Sequence, residues 1–178
     1  MKFLESLNLI NTGSNGVRPL QEIDTVIVHH DGRLDFTPQD DLKVLNLLKS
    51  YTNFHIQKGW KRLAYHIVID RAGNSWLCNS LSETTYHAGN LPVNKKSIGI
   101  CLLGDFDRQI PTKEQFESLK VVLNYLATKR PDMPNLVQKS VKYHREVRLF
   151  GGTSCCGKWL IPFVEDYRRL NGDLPLPL

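Results

Sequence analysis

The stretch that most constrains the fold of this chain is Thr25–His30, an apolar β-branched run that ends in two histidines. Val26, Ile27 and Val28 carry no polar break, which predicts a strand that is buried on both faces of a sheet. A polar pair at the end of such a strand lies at the carboxyl edge of the sheet, where α/β folds place their chemistry. A histidine at a strand end is also a common structural residue, so this run alone does not establish a binding site.

The size and charge of the chain narrow its class without selecting a partner. Its 178 residues suffice for one domain with a sizeable core, and 41% hydrophobic with 23% charged residues is typical of a soluble globular protein. The formal net charge of +5 favours an acidic partner such as a nucleic acid, an anionic membrane or a cell wall. The basic residues are spread along the chain, so we expect no nucleic-acid-binding arm.

The N-terminal segment indicates a protein that is made in the cytoplasm, and this bears on the expected state of the cysteines. Polar residues interrupt residues 1–11 and no small-residue cleavage site follows, so this segment does not resemble a signal peptide. No apolar run approaches the roughly 18 residues that a membrane helix needs. The cytoplasm keeps thiols reduced, and Cys78 and Cys101 lie in apolar runs, so we expect them to be small buried residues.

Strand and helix patterns alternate along the chain. Strands are predicted at about 24–30, 63–69, 75–78, 97–103 and 140–143. Helices are predicted with Thr37 as cap and Pro38 at the first helical position, after a capping box at 112–115, and over a closing stretch that ends near residue 170. A polar loop without periodicity fills about 79–96, a length that is usually functional. Since no repeat or boundary interrupts the alternation, the sequence predicts one α/β domain.

Three potential metal ligands, His29, His144 and Cys155, end or closely follow predicted sheet elements. Strand ends can converge in space at any separation in sequence. Two imidazoles and one thiolate make a tetrahedral zinc site with its fourth position open for water, which is the catalytic arrangement. The ligands are scattered and form no short zinc motif, so their spacing alone does not identify the site.

Ordered motifs carry a resemblance to a known family. The motifs are Val28–His30, Gly59–Trp60, Ala64–His66, Tyr86–Gly89, Asn94–Ile100, Leu103–Phe106, His144–Glu146 and Thr153–Cys155. Together they resemble the zinc N-acetylmuramoyl-L-alanine amidases, which include small phage lysozymes, and the related peptidoglycan recognition proteins. The resemblance covers about residues 24–165. It implies one amidase domain over 1–178, with 1–23 as an N-terminal extension and 171–178 as a tail.

The resemblance implies a fold, a reaction and a set of metal ligands. The fold is α/β, a mixed central sheet flanked by helices, with one zinc ion per chain in a surface groove. The family's target is the amide between the lactyl group of N-acetylmuramic acid and the L-alanine of the stem peptide. The ligand positions fall on His29, His144 and Cys155. Cys156 stands where the family usually has proline, and either thiolate could reach the metal.

Further site residues also follow from the resemblance. The family's catalytic tyrosine falls on Tyr65, and Thr153 is expected to hydrogen-bond the oxyanion. His87 in the polar loop is a candidate for a substrate-binding or ligand-orienting role, with an ordinary loop residue as the alternative. Asn94 is a second candidate for contact with substrate.

Neighbours of the expected ligands have alternative roles. Alternation along the strand points only one of His29 and His30 at a given face, and the family register favours His29. Arg145 and Glu146 follow His144 directly, and they either orient the ligands or form a salt bridge.

The sequence therefore predicts a monomeric zinc amidase that binds peptidoglycan and neither nucleic acid nor membrane. The lack of a signal and of a separate wall-binding domain suits a phage or prophage endolysin, held in the cytoplasm until a holin opens the membrane. Two alternatives remain: a peptidoglycan-binding module without activity, and a cytoplasmic amidase that recycles soluble muropeptides. Binding-only members of the family usually lose the cysteine, so Cys155 favours the enzyme.

Overall fold

The computed structural model describes residues 2–34, 40–149 and 152–170. Its strands are β1 (Glu5–Ser6), β2 (Thr25–His30), β3 (Ile67–Ile69), β4 (Ser75–Leu77), β5 (Ser97–Leu102) and β6 (Val141–Tyr143). Its helices are α1 (Asp41–Gln57), α2 (Leu91–Lys96), α3 (Lys113–Thr128) and α4 (Ile161–Arg169). The strands form one sheet in the order β1-β4-β3-β5-β2-β6.

The sheet is built around β2, which lies between β5 and β6 and is parallel to both. Its β-branched residues are buried, as a parallel strand covered by helices on both faces requires. β3 runs parallel to β5, whereas β4 is antiparallel to β3. The predicted single-domain α/β fold with a mixed sheet flanked by helices is therefore confirmed.

Helices cover both faces of this sheet. On one face, α3 and α4 pack against strand residues that include Ile69 and Leu102. On the other face, α1 contributes Val44 and Leu48 to a second apolar cluster. The molecule therefore has three layers, with the sheet in the middle.

The register of β2 decides which histidine faces which layer. His29 pairs with Cys101, whose side chain belongs to the cluster on the α1 side. His30 pairs with Leu102, which belongs to the cluster on the α3 and α4 side. Because paired residues of neighbouring strands point to the same face, the two histidines point to opposite faces, as the alternation predicts.

Polar caps mark where the helices begin. Asp40 caps α1 by accepting hydrogen bonds from two backbone N–H groups of its first turn. The predicted start at Thr37 and Pro38 lies outside the described residues, as do the predicted stop and tail at 171–178. The capping box predicted at 112–115 is present and opens α3.

The strand predicted at 63–69 is shorter in the structure and begins at Ile67. The side-chain amide of Asn79 donates to the carbonyl oxygens of Leu63, at 3.0 Å, and of Tyr65, at 2.6 Å. A side chain therefore occupies the acceptors that a strand ladder would use. Tyr65 lies just before the strand rather than on it.

The sequence pattern predicts neither β1 nor α2. A strand of two residues and a helix of six residues are too short to show a period of 2 or 3.6. α2 lies within the polar stretch predicted as a loop, and Pro92 stands in its first turn, where its missing N–H costs nothing. Among the described residues, no helix is both long and apolar enough to cross a bilayer.

Candidate metal centre

Two histidines and one cysteine meet at the carboxyl edge of the sheet. One potential ligand atom from each of His29, His144 and Cys155 lies within 4.8 Å of the others, and all three side chains are buried. The last paired residues of the β2 and β6 ladder are Val28 and Tyr143, and one of the histidines directly follows each of them in the sequence. The structure thus brings together the three residues that the sequence selects as ligands.

Backbone contacts hold Cys155 at this edge. Its Sγ accepts a hydrogen bond from the His30 N–H at 3.3 Å, and its carbonyl accepts one from the Arg145 N–H at 3.1 Å. Its own N–H donates to Thr153 Oγ1 at 3.2 Å. In this position Cys155 Sγ lies 3.6 Å from His29 Nδ1.

A chain of side chains orients the His29 ring. Ser97 Oγ donates to the Val93 carbonyl at 2.7 Å, so it accepts from His87 Nε2–H at 3.2 Å. His87 Nδ1 then carries the lone pair that accepts from His29 Nε2–H at 3.0 Å. The free lone pair of His29 is therefore on Nδ1, which faces Cys155.

The His87 ring packs directly on the backbone of β5. A Cβ atom at Gly99 would lie 2.6 Å from His87 Cγ, so only glycine leaves room for the ring. The side chain of His87 is 5% exposed. The glycine at position 99 is therefore what allows His87 to reach His29.

A main-chain carbonyl orients the His144 ring. His144 Nε2–H donates to the Ala88 carbonyl at 3.2 Å, which leaves the lone pair on Nδ1. The Ala88 N–H in turn donates to Asn94 Oδ1 at 2.8 Å. Asn94 thus holds the residue whose carbonyl supports His144.

Burial controls the protonation of the three candidate ligands. It lowers the pKa of His29 and of His144, so both imidazoles are neutral and present a lone pair at neutral pH. It raises the pKa of the Cys155 thiol to about 12, so the thiol keeps its proton in the absence of a cation. A bound metal ion reverses that last preference because it stabilises the thiolate.

The donor set and its spacing fit zinc. Zinc binds imidazole nitrogen at about 2.0–2.1 Å and thiolate sulfur at about 2.3 Å, so tetrahedral geometry separates the two donors by about 3.6 Å. His29 Nδ1 and Cys155 Sγ are 3.6 Å apart. Both imidazoles donate their other N–H to a fixed acceptor, as metal-bound histidines generally do.

The two predicted catalytic side chains lie beside these ligands. The Tyr65 ring is 5.3 Å from the His29 ring, between centroids. Burial raises the pKa of Tyr65 well above its usual value, so the phenol keeps its proton and can donate it in a hydrogen bond. Thr153 Oγ1 accepts from the Cys155 N–H, which leaves the hydroxyl proton for a second partner. The catalytic roles of both residues stay predictions.

A cavity of about 480 Å³ is lined in part by His87 and Asn94, which help to orient His29 and His144. Its lining includes Lys58, Trp60, Tyr86, Arg148, His87 and Asn94. The last two, predicted to contact substrate, are only 5% and 3% exposed, and both are engaged in orienting the histidines. Their contact with substrate stays a prediction.

The structure separates the ligands from their neighbours in sequence. His30 is on the opposite face of β2, where its Nδ1 accepts from the Phe106 N–H at 3.0 Å. Cys156 is fully buried in the apolar core. Within the described residues, the group of potential ligands contains Cys155 and not Cys156.

Arg145 and Glu146 divide the two roles that the sequence leaves open. Arg145 donates from Nε to the Thr153 carbonyl at 3.0 Å and from Nη2 to the Ser154 carbonyl at 3.1 Å, so it shapes the cysteine loop. Glu146 forms a salt bridge of 2.7 Å with Arg168 on α4.

Sequence reasoning misses Ala88 and Ser97, which support the two histidines. A main-chain carbonyl has no sequence signature, and a serine that acts through another side chain resembles any buried serine. The one available signal is that both residues lie in the motifs Tyr86–Gly89 and Asn94–Ile100 that carry the resemblance.

The fold is that of the N-acetylmuramoyl-L-alanine amidase family. A family model described as N-acetylmuramoyl-L-alanine amidase (Amidase_2) matches residues 19–158, and the chain belongs to this family. It is 31% identical over 85 residues to peptidoglycan-recognition protein SD of Drosophila simulans, covering 47% of this chain and 45% of that protein. It is 24% identical over 147 residues to peptidoglycan-recognition protein LB of Drosophila melanogaster, covering 80% and 58%. The chain therefore spans about half the length of these curated relatives.

Solved structures share the whole fold. The endolysin N-acetylmuramoyl-L-alanine amidase LysCS from Clostridium intestinale URNW is 25% identical, with a TM-score of 0.71 and 96% and 95% of the two chains covered. Wild-type Drosophila PGRP-LB is 21% identical, with a TM-score of 0.73 over 93% and 94%. Peptidoglycan recognition protein LE, solved with tracheal cytotoxin (monomeric diaminopimelic acid-type peptidoglycan), is 17% identical, with a TM-score of 0.77 over 92% of both chains. At the two lower identities the likeness concerns the fold alone.

Proposed function

We propose that this protein is a zinc-dependent amidase that hydrolyses the bond between N-acetylmuramic acid and L-alanine in peptidoglycan. The observation that carries the proposal is the group of His29, His144 and Cys155, in which hydrogen bonds orient both imidazoles. Family membership supports the reaction, and the donor set supports the metal. We also propose that the amidase domain has its core at about residues 24–165.

The proposed reaction divides the work between a metal and the chain. His29, His144 and Cys155 would hold the zinc, which when bound polarises the amide carbonyl and lowers the pKa of water toward about 7. Tyr65 keeps its proton and donates a hydrogen bond to the oxyanion that develops on the carbonyl. The Thr153 hydroxyl donates to the same oxygen, and its attachment to the Cys155 N–H fixes its position.

The cavity beside the histidine supports is proposed to hold the part of the substrate next to the scissile bond. Its lining carries the cations Lys58 and Arg148 and the aromatic rings of Trp60 and Tyr86. Among the described residues, no carboxylate side chain lines it. Stem peptides bear carboxylates, and Lys and Arg form charge-assisted hydrogen bonds with them.

We propose a phage or prophage endolysin that acts as a monomer on intact cell wall. Likeness to the endolysin amidase LysCS supports this setting. The net charge of +5 would favour binding to an anionic wall. A recycling amidase would share the chemistry but act on soluble fragments, so loss of turbidity by intact walls separates the two settings.

The test measures bound metal and the release of L-alanine amino groups from purified peptidoglycan, with and without a chelator. We expect about one zinc per chain, the number for a single open tetrahedral site. Activity should disappear on chelation and return with zinc. Cys155→Ala should lose both metal and activity, whereas the matched variant Cys156→Ala should keep both, because its side chain lies in the core.

Two outcomes would contradict the proposal. Zinc bound without release of amino groups from any wall type would indicate a peptidoglycan-binding module. A wild-type protein that binds no zinc would show that the three side chains are not a metal site.

A further inference from the structure

Arg18 is a buried guanidinium in the N-terminal segment, one residue before the stretch that the family model matches. It is 5% exposed, and no carboxylate of the described residues forms a salt bridge with it. Burial lowers the pKa of Arg18 to about 10, so it remains charged at neutral pH. Removing such a charge from water is costly, and the groups that offset the cost reveal what the side chain organises.

The Arg18 guanidinium binds main-chain carbonyls at both ends of the polar segment 81–97. Nη2 donates to the carbonyl of Leu81 at 3.2 Å and to that of Ser97 at 2.7 Å. Nη1 donates to the carbonyl of Asn94. A planar fork with five N–H donors suits this task, because one rigid group can serve three acceptors.

Two of these three residues, Asn94 and Ser97, begin the hydrogen-bonded series that orient the candidate ligands. Asn94 accepts from the Ala88 N–H, and the carbonyl of the same residue accepts from His144. Ser97 accepts from His87, which accepts from His29. One guanidinium therefore fixes the backbone from which both supports begin.

We propose that Arg18 is a positioning residue that sets the orientation of both histidine ligands by holding Asn94 and Ser97. It touches neither the substrate nor the metal in this scheme. The inference rests on the proposed zinc site, so its test includes a measurement that needs no metal.

Arg62 offers a matched control in the same region. It ties the N-terminal segment to residues 79–83 through the Gly13 carbonyl at 2.7 Å, Asn79 Oδ1 at 3.3 Å and a salt bridge of 3.3 Å with Glu83. None of the contacts described for Arg62 involves Asn94 or Ser97. A general loss of anchoring would affect Arg62 and Arg18 variants alike, whereas positioning of the ligands depends on Arg18.

The experiment compares wild type with Arg18→Met, Arg18→Lys and Arg62→Met. Zinc affinity is measured by competition with a chromophoric chelator, and ligand geometry by the visible spectrum of the cobalt-substituted protein. Arg18→Met should weaken zinc binding by about 10–100-fold, the range for loss of groups that orient metal ligands, and should alter the spectrum. Arg18→Lys should fall between, since an ammonium lacks the planar fork. Arg62→Met should bind zinc as wild type does.

The metal-free measurement is the tautomer of each imidazole, read from nitrogen chemical shifts. Wild type should carry the proton on Nε2 of His29, His87 and His144. Arg18→Met should shift this pattern, and Arg62→Met should not.

The proposal is overturned if a folded Arg18→Met protein keeps both the zinc affinity and the tautomers of wild type. It is also overturned if Arg62→Met weakens zinc binding and changes the tautomers as much as Arg18→Met does. If Arg18→Met does not fold, the same criteria apply to Arg18→Lys. Absence of zinc from wild type would instead refute the proposed function, and the tautomers would still decide the role of Arg18.

Discussion

His29 and His144 meet at one edge of the sheet, yet they are held in different ways. A side chain, that of His87, supports His29. A main-chain carbonyl, that of Ala88, supports His144. A single substitution can remove a side chain, whereas a carbonyl remains whatever residue occupies the position. We therefore expect the support of His29 to be the more sensitive to mutation.

The two supports nevertheless come from one segment. His87 and Ala88 are adjacent, and Asn94 and Ser97 fix them from the start of β5 and the helix before it. The polar loop at about 79–96 shows no periodicity in the sequence. In the structure it holds the candidate metal ligands in place.

The first prediction concerns His87→Ala, which breaks the side-chain support. His29 Nε2–H loses its acceptor, and the space beside Gly99 is left unfilled. Zinc affinity should fall by about 10–100-fold, the effect generally seen when a partner of a metal-bound histidine is removed. Chelator competition measures the change, and the amidase rate at limiting zinc should follow it.

The control for this prediction is His55→Ala. His55 is also an imidazole whose pKa burial lowers, to about 4, but its Nδ1 accepts from the Ala64 N–H, away from both ligands. It should retain the zinc affinity of wild type. Equal affinity in His87→Ala and wild type would mean that the side-chain support has no bearing on the metal.

The second prediction concerns His66, a buried imidazole that contacts the backbone of β5. His66 accepts from the Gly99 N–H at 3.0 Å, and burial, followed by the charge of Arg18, lowers its pKa to about 3. Below pH about 6.5, His66 binds a proton in the unfolded chain but stays neutral in the folded protein. The free energy of unfolding should therefore fall as pH decreases from about 6.5 toward 3, with His66 contributing about 1.4 kcal/mol per pH unit.

Urea unfolding of the metal-free protein at several pH values measures this slope. His66→Gln should lower the slope by the contribution of one histidine, because an amide keeps a donor and an acceptor but does not titrate in this range. Equal slopes for variant and wild type would show that His66 is protonated alike in both states. Since His66 contacts neither ligand, its variant should bind zinc at pH 7.5 more tightly than His87→Ala does.

The sequence predicts the candidate metal ligands better than the groups that hold those ligands in place. The apolar run of β2 predicts both the central strand and the place of His29, because a β-branched run without polar breaks is typical of a strand buried on both faces. The strand predicted around Tyr65 begins later, because a distant amide occupies the carbonyls of its first residues. Ala88 acts through its carbonyl and Arg18 through contacts 63 to 79 residues away, and neither interaction leaves a local pattern.

The third prediction concerns Asn94→Ala and tests whether the main-chain support is the more tolerant one. The Ala88 N–H loses its acceptor, but the Ala88 carbonyl remains near His144. The loss of one hydrogen bond, about 1 kcal/mol, corresponds to about a fivefold fall in zinc affinity. Asn94→Asp keeps an acceptor oxygen at the same place and should recover part of the loss. A fall as large as that of His87→Ala would show that the Ala88 carbonyl depends on Asn94 for its position, so that both histidines are held by side chains in the end.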